Sequence, residues 1–218
     1  MVYYFKSNVI DPANPVTIYM GKDKHENEKL IKYSWPDDIW FHVDKLSSAH
    51  VYIRLPKTIP DMHSIPEALL QDCAQLVKAN SIEGNKKDDL TIIFTPASNL
   101  RKTGDMAIGQ VDFYSNKLVK RVHVKTRINA VVNRLNKTKM ERTDVDLEQE
   151  KLQHEIEINR QKKLTATQKA KEEKELEAQR KAEKEARSYT KLFEQMDSQN
   201  YRDKGEKVEG FDSDEDFM

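Results

Sequence analysis

Residues 144–187 contain no proline and no glycine, and carry 11 basic and 12 acidic side chains mixed along the stretch. Glu, Lys, Gln, Ala and Leu dominate, and most of these favour the helix. Opposite charges recur at spacing three or four, as in Lys174–Glu177–Lys181–Glu185, which supports a helix through side-chain pairing. Beyond Leu164 the only large apolar residue before Ser188 is Leu176, so no a/d heptad seam is sustained. The stretch therefore predicts a charged single helix, with a weak coiled coil as the alternative. It cannot supply a core, so a core must come from elsewhere in the chain.

Composition places that core. The 218 residues are 37% hydrophobic and 34% charged, against a usual ~45–50% and ~25%. The shift falls near residue 126. Residues 1–125 hold both tryptophans, with 17 Lys+Arg against 15 Asp+Glu, whereas 126–218 hold 20 against 22. The first part is long enough to bury a core. Strand-like runs fall at 2–5, 16–20, 39–43, 51–55, 90–95, 110–114 and 118–124, and Ser115-Asn116 suits a hairpin turn between the last two. A polar helix is expected from Gly21 through Lys32. A second begins after the capping box read at Ser64-Ile65-Pro66-Glu67, with Leu69, Leu70, Cys73, Leu76 and Val77 at helical spacing. Cys73 on that stripe reads as a packing residue. The fold class is α+β: a mainly antiparallel sheet with packed helices, followed by a long charged helix and a disordered acidic tail. The organisation reads as 1–125 α+β domain, 126–143 basic amphipathic helix, 144–187 charged helix and 188–218 tail.

Segment 37–54 reads as two strands joined by a polar loop. Alternation puts Ile39, Phe41 and Val43 on a core face and Asp38, Trp40 and His42 on the other. In the second strand Val51 and Ile53 oppose His50, Tyr52 and Arg54. The non-core faces thus gather Trp40, His42, His50, Tyr52 and Arg54, side chains that stack on and hydrogen-bond to planar or phosphorylated partners. A structurally satisfied histidine is the plainer account of His42. In 126–143, Ile128, Val131, Val132 and Leu135 form an apolar stripe, and Arg127, Arg134, Lys137, Lys139 and Arg142 face only Glu141. That ridge can dock by its stripe, meet phosphates with its charges, or both. In the tail, Tyr189, Leu192, Phe193 and Met196 share helical spacing and fit a docking motif for a protein partner. The end from Gly210 is acidic, and Ser213 precedes three acids. The 126–142 ridge is +4 and the last segment −5, an asymmetry suited to a chain that meets a polyanion with one end.

Several motifs together resemble the NFACT-R family over roughly residues 1–125. They are Gly21-Lys22 with Asn27, Asp38-Ile39-Trp40-Phe41-His42 with the small-residue loop and His50, Arg101-Lys102, and Gly109-Gln110-Val111. Ser47-Ser48-Ala49 departs from the family's Pro-Gly-Ser, and Lys22 stands for an Arg. The resemblance implies a non-catalytic RNA-binding module in a tRNA and large-ribosomal-subunit context of translation quality control. DNA is the alternative nucleic acid, and a protein adaptor acting through the helix and tail the alternative function. The expected contacts are Lys22, Lys24, Trp40, His42, His50, Tyr52, Arg54, Arg101, Lys102, Arg127, Arg134 and Lys137.

Catalytic patterns are weak. No Gly-rich phosphate loop, HExxH or cysteine pair occurs. His42 and His50 flank Ser47-Ser48 without a nucleophile elbow. Asp38, His42 and His50 suggest a metal site only if they converge. No cofactor is expected. The single cysteine suits a reducing compartment, and no run approaches ~20 apolar residues. The opening residues lack the basic lead of a signal peptide. The expectation is cytoplasmic or nuclear placement, with a cell-surface role as the outlying alternative.

Overall fold

The computed structural model describes residues 1–143 and 145–205. The acidic end and Ser213 lie outside them. The chain forms two compact units, Met1–Ile156 and Glu157–Met218.

Among the described residues the first unit contains nine strands: β1 Val2–Ser7, β2 Val16–Gly21, β3 Ile39–Val43, β4 Val51–Arg54, β5 Leu90–Pro96, β6 Leu100–Arg101, β7 Asp112–Phe113, β8 Lys120–Val124 and β9 Met140–Arg142. Helices α1 Lys24–Tyr33, α2 Glu67–Ala79 and α3 Asn129–Asn136 join them, and α4 spans Leu147–Gly205. Seven strands make one sheet in the order β8-β5-β3-β4-β2-β1-β9, antiparallel at each pairing. β6 and β7 form a separate two-stranded ribbon. The α+β architecture holds.

Both faces of the sheet are buried. On one, Phe5, Ile18, Ile39, Phe41, Ile53, Ile92 and Phe94 pack with Leu69, Cys73, Leu76 and Val77 of α2 and Leu135 of α3. On the other, Tyr4, Tyr19, Trp40, Tyr52 and Ile93 pack with Leu30 of α1, Leu100 and Phe113 of the ribbon and Leu147 of α4. The strands alternate as the sequence requires, but each side has its own cover. The aromatic side read as a ligand surface is a second core.

Four expectations change. The 110–114 and 118–124 runs form no hairpin: β7 pairs with β6, and β8 pairs with β5. The capping box is absent. Asp61 Oδ1 takes both Ser64 N and Ser64 Oγ at 2.9 Å, and Pro66 occupies the cap position without a side-chain bond. Gly21 closes β2, and Asp23 caps α1 by accepting from His25 N and Glu26 N. The basic helix over 126–143 shrinks to Asn129–Asn136, and Met140–Arg142 pair with Tyr4–Val2 as β9. There the open backbone edge of β1 outweighs helical propensity. Thr138 Oγ1 fixes the crossing by accepting Lys6 N at 2.9 Å.

The described part of the second unit is the continuation of α4 from Glu157. Helix therefore runs through the 188 boundary to Gly205. Leu164, Leu176, Tyr189, Leu192, Phe193 and Met196 are all exposed on it. Among the described residues, no helix is long and apolar enough to cross a membrane.

Candidate nucleic-acid interface

β2 ends in a glycine because α1 starts hard against it. A Cβ on Gly21 would lie 2.4 Å from Asn27 Oδ1 and 2.9 Å from Asn27 N, so α1 can begin this close to the strand only over glycine. The Asp23 cap leaves Lys22 and Lys24 exposed on the turn. One turn on, Glu28 accepts from Gly109 N at 2.8 Å and from Lys102 Nζ at 3.0 Å. Burial pushes the Glu28 carboxyl up, yet the Gly109 and Lys102 bonds outweigh it and hold it below the usual range. Lys102 also donates to Ala107 O at 2.7 Å and Gln110 O at 3.0 Å. Gly109 has φ +80° and would place a Cβ 3.5 Å from Lys24 Cβ. That distance is ordinary contact, but the positive φ would strain any side chain there.

The Trp40 cluster sits beside this clamp. Trp40 Nε1 donates to His50 Nδ1 at 3.0 Å, so His50 accepts at Nδ1 and carries its proton on Nε2. Burial, then the neighbouring His42, lowers the His50 pKa to about 3. His42 stacks on Trp40 with ring centroids 5.3 Å apart, and its Nδ1 lies 2.7 Å from Val43 O. Burial lowers its pKa as well, against the Val43 bond. Asp38 points into other work. It accepts Tyr19 OH at 2.5 Å and Trp35 N at 3.0 Å. Asp38, His42 and His50 therefore do not converge on a metal-sized centre.

Arg54 closes the other end of the same face. Its guanidinium lies 3.9 Å from the Trp35 ring centroid and 5.1 Å from that of Tyr19, and it donates to Glu150 of α4 at 3.2 Å. Trp35 stacks on His154 of α4 at 3.6 Å. Arg54 thus anchors the first turns of α4, and does not await a ligand.

Eleven of the twelve sequence candidates separate into three kinds, and His42 stands apart. Trp40, His50 and Tyr52 are buried, at 1%, 3% and 0% exposure, because α1, the ribbon and α4 cover their face; they cannot offer rings to a base. Lys102, Arg54 and Arg134 are committed. Arg134 donates to the buried carboxylate of Asp72 at 2.6 Å and to Asn8 Oδ1 at 3.0 Å. Lys22, Lys24, Arg101, Arg127 and Lys137 are exposed, although Arg101 pairs with Asp112 and Arg127 with Asn85. His42 is half-buried. Lys22, Lys24, Arg101, Lys102, His42 and His50 belong to the α1 and ribbon side of the sheet. Arg127, Arg134 and Lys137 flank the α2 and α3 side, so the sheet divides the set. Sequence reasoning gave no site role to Glu28 or Glu150, the carboxylates that consume Lys102 and Arg54. A single Glu in a helix carries no pairing signal.

The profile of the NFACT protein RNA binding domain matches residues 1–115. The chain is 49% identical over its whole length to coiled-coil domain-containing protein 25 of Bos taurus, covering all of that protein. It is 49% identical, with the same full coverage, to the Mus musculus protein of that name. It is 62% identical to the Danio rerio protein of that name over 144 residues, which is 65% of this chain and 67% of that one.

Proposed function

The chain belongs to the family of NFACT RNA-binding domains, and we propose from that premise that it binds RNA through exposed cations set around the α1 and ribbon clamp. One observation carries the reading. Motif pieces far apart in sequence, Gly21–Glu28, Arg101-Lys102 and Gly109, meet around the Glu28 carboxylate, with His50 alongside. Lys102, Glu28 and His50 hold that junction, while Lys22 and Lys24 face solvent on it. The buried residues shape the surface and the exposed lysines supply the phosphate contacts. Phosphate contacts position a nucleic acid without reading its sequence, so this surface favours a structured RNA met by shape. A tRNA or a large ribosomal subunit in translation quality control, in the cytoplasm, is the context proposed.

The test is fluorescence anisotropy of the full chain with labelled tRNA, single-stranded RNA and duplex DNA of matched length, across a salt series. The reading expects RNA to bind more tightly than DNA, with affinity falling steeply as salt rises. Equal affinity for duplex DNA would transfer the reading to a DNA-binding protein. No salt-dependent binding to any of the three would refute it.

A second reading rests on a different observation. Tyr189, Leu192, Phe193 and Met196 stand on one helix at spacings that align them, each at least half exposed. Such a stripe suits a protein partner, and an adaptor role through α4 would use it.

A further inference from the structure

Residues 113–140 contain eight Lys and Arg and no Asp or Glu, in a chain whose Lys+Arg and Asp+Glu are equal at 37 each. The middle of this stretch is β8, an edge strand of the sheet, paired among the described residues on one side only, with β5. Register fixes its faces. Val122 and Val124 pack with α2, so Arg121 and His123 lie on the opposite face, opposite Ile93 and Thr91 of β5. The bond from Asp89 N to Lys125 O, 2.7 Å, carries the ladder one residue past the strand, and Lys125 continues the alternation. Arg121, His123 and Lys125 are exposed, as are Lys117 and Lys120 just before them.

The same register ties the row to the family motif. His42 of β3 lies opposite Ile93, and Ile93 lies opposite Arg121. The three occupy one line across three strands, with His42 about 10 Å from Arg121 at ordinary strand spacing. Tyr114, at the approach to β8, is 71% exposed.

We propose that the β8 edge is a single-stranded RNA track. In it Arg121 and Lys125 contact phosphates from this face, Lys117 and Lys120 reach the same backbone around the open edge of the strand, and Tyr114 offers a ring on which a base stacks. The inference rests on the RNA-binding reading and assigns it a surface whose four cations lie beyond the residues 1–115 matched by the family profile. Alternate residues of a strand stand about 6.6 to 6.8 Å apart, comparable with the step between phosphates of an extended strand. Two carboxylates face the row: Asp44 lies 3.9 Å from Arg121, and Asp89 lies 3.2 Å from His123. The Asp89–His123 pair is solvent-exposed and the Asp44–Arg121 pair is long with its arginine exposed, so both contribute little and yield to a phosphate. Charge on an edge strand also guards against edge-to-edge pairing. That role needs one or two charges of either sign, not eight of one sign over 28 residues.

The test compares full-length protein with a Lys117→Gln/Lys120→Gln/Arg121→Gln/Lys125→Gln variant and with Tyr114→Ala. Each is titrated by anisotropy with a labelled single-stranded RNA across a salt series, after circular dichroism confirms the fold. The four-site variant should flatten the slope of log affinity against log salt by roughly 2 to 3, at about 0.7 per lost phosphate contact. Tyr114→Ala should lose roughly 5- to 150-fold in affinity, the loss of one stacked base, with the slope unchanged. Wild-type binding that both variants retain in full would overturn the track and leave the family reading standing. Absence of wild-type binding to the single-stranded RNA would overturn the track while binding to tRNA left the RNA-binding reading standing, and absence of binding to both would refute that reading. Should the four-site variant unfold, Arg121→Gln alone decides the matter: an unchanged slope in a folded protein overturns the track. RNA binding retained by the variant, together with loss of binding to an extended acidic peptide, would make the edge a peptide site and likewise overturn it.

Discussion

Asp38 and His50 should give the fold two opposed pH dependences that cancel only in part. Both side chains are fully buried on the same side of the sheet. Burial, opposed by the Tyr19 hydroxyl and Arg54, raises Asp38 to about 6 from 3.8. Asp38 binds its proton more tightly in the folded chain, so its stabilising effect is complete below 3.8 and is lost as pH rises through 6. Burial and then His42 depress His50 to about 3 from 6.5. His50 binds its proton more weakly when folded, so its contribution is complete above 6.5 and is lost as pH falls toward 3. Between pH 7 and pH 5, linkage gives a loss of about 2 kcal/mol from His50 and a gain of about 1 kcal/mol from Asp38. His42, also lowered, adds to the loss. The perturbation is Asp38→Asn, which retains an acceptor for Trp35 N and removes the titration. Urea melts at pH 5, 6 and 7 should show the variant losing about 1 kcal/mol more stability than wild type over this range. His50→Asn keeps an acceptor for Trp40 Nε1, and should shift the dependence the other way by about 2 kcal/mol. If Asp38→Asn tracks wild type in parallel across the three pH values, the buried carboxyl does not titrate as argued.

The same packing sets other outcomes. Gly21→Ala meets Asn27 Oδ1 and backbone N and should cost ~1–3 kcal/mol, read as a lower urea midpoint. Arg134→Gln strips the buried Asp72 carboxylate of a charged donor. It should lower stability by about 1–3 kcal/mol while leaving the salt slope of RNA binding unchanged, which separates a structural arginine from a contact. Lys22→Gln/Lys24→Gln should do the reverse, sparing the melting curve and flattening that slope by about 0.7 per contact. A peptide of residues 144–187 should be partly helical and sediment as a monomer; a tight dimer would restore a coiled coil.

Much of the fold was legible because strand alternation and helical spacing are local signals. The β1–β5 runs and α2 emerge from them within a residue or two. What covers a face is not local. The alternation correctly grouped Trp40, His50, Tyr52 and Arg54, but a face rich in aromatics reads alike whether it meets a ligand or a second layer. Here α1, the β6–β7 ribbon and α4 supply that layer. The same limit explains β9. Residues 140–142 continue a helical pattern, and only the pairing edge of β1, distant in sequence, makes them a strand. Lys102 and Arg134 look like any exposed cation in the sequence. Their partners Glu28 and Asp72 lie far along the chain. The run 113–140 without an acid was in plain view, but it straddles an element boundary and so was divided between two readings.

Ultraviolet crosslinking of the full chain to bound RNA, with the attached peptides located by mass spectrometry, tests the central claim most directly. RNA contact through exposed cations around a buried aromatic layer predicts adducts at the Lys22–Lys24 turn and along Tyr114–Lys125. It predicts none on Trp40, His50 or Tyr52. Adducts on those three residues, or adducts confined to α4 beyond Ile156, would contradict it.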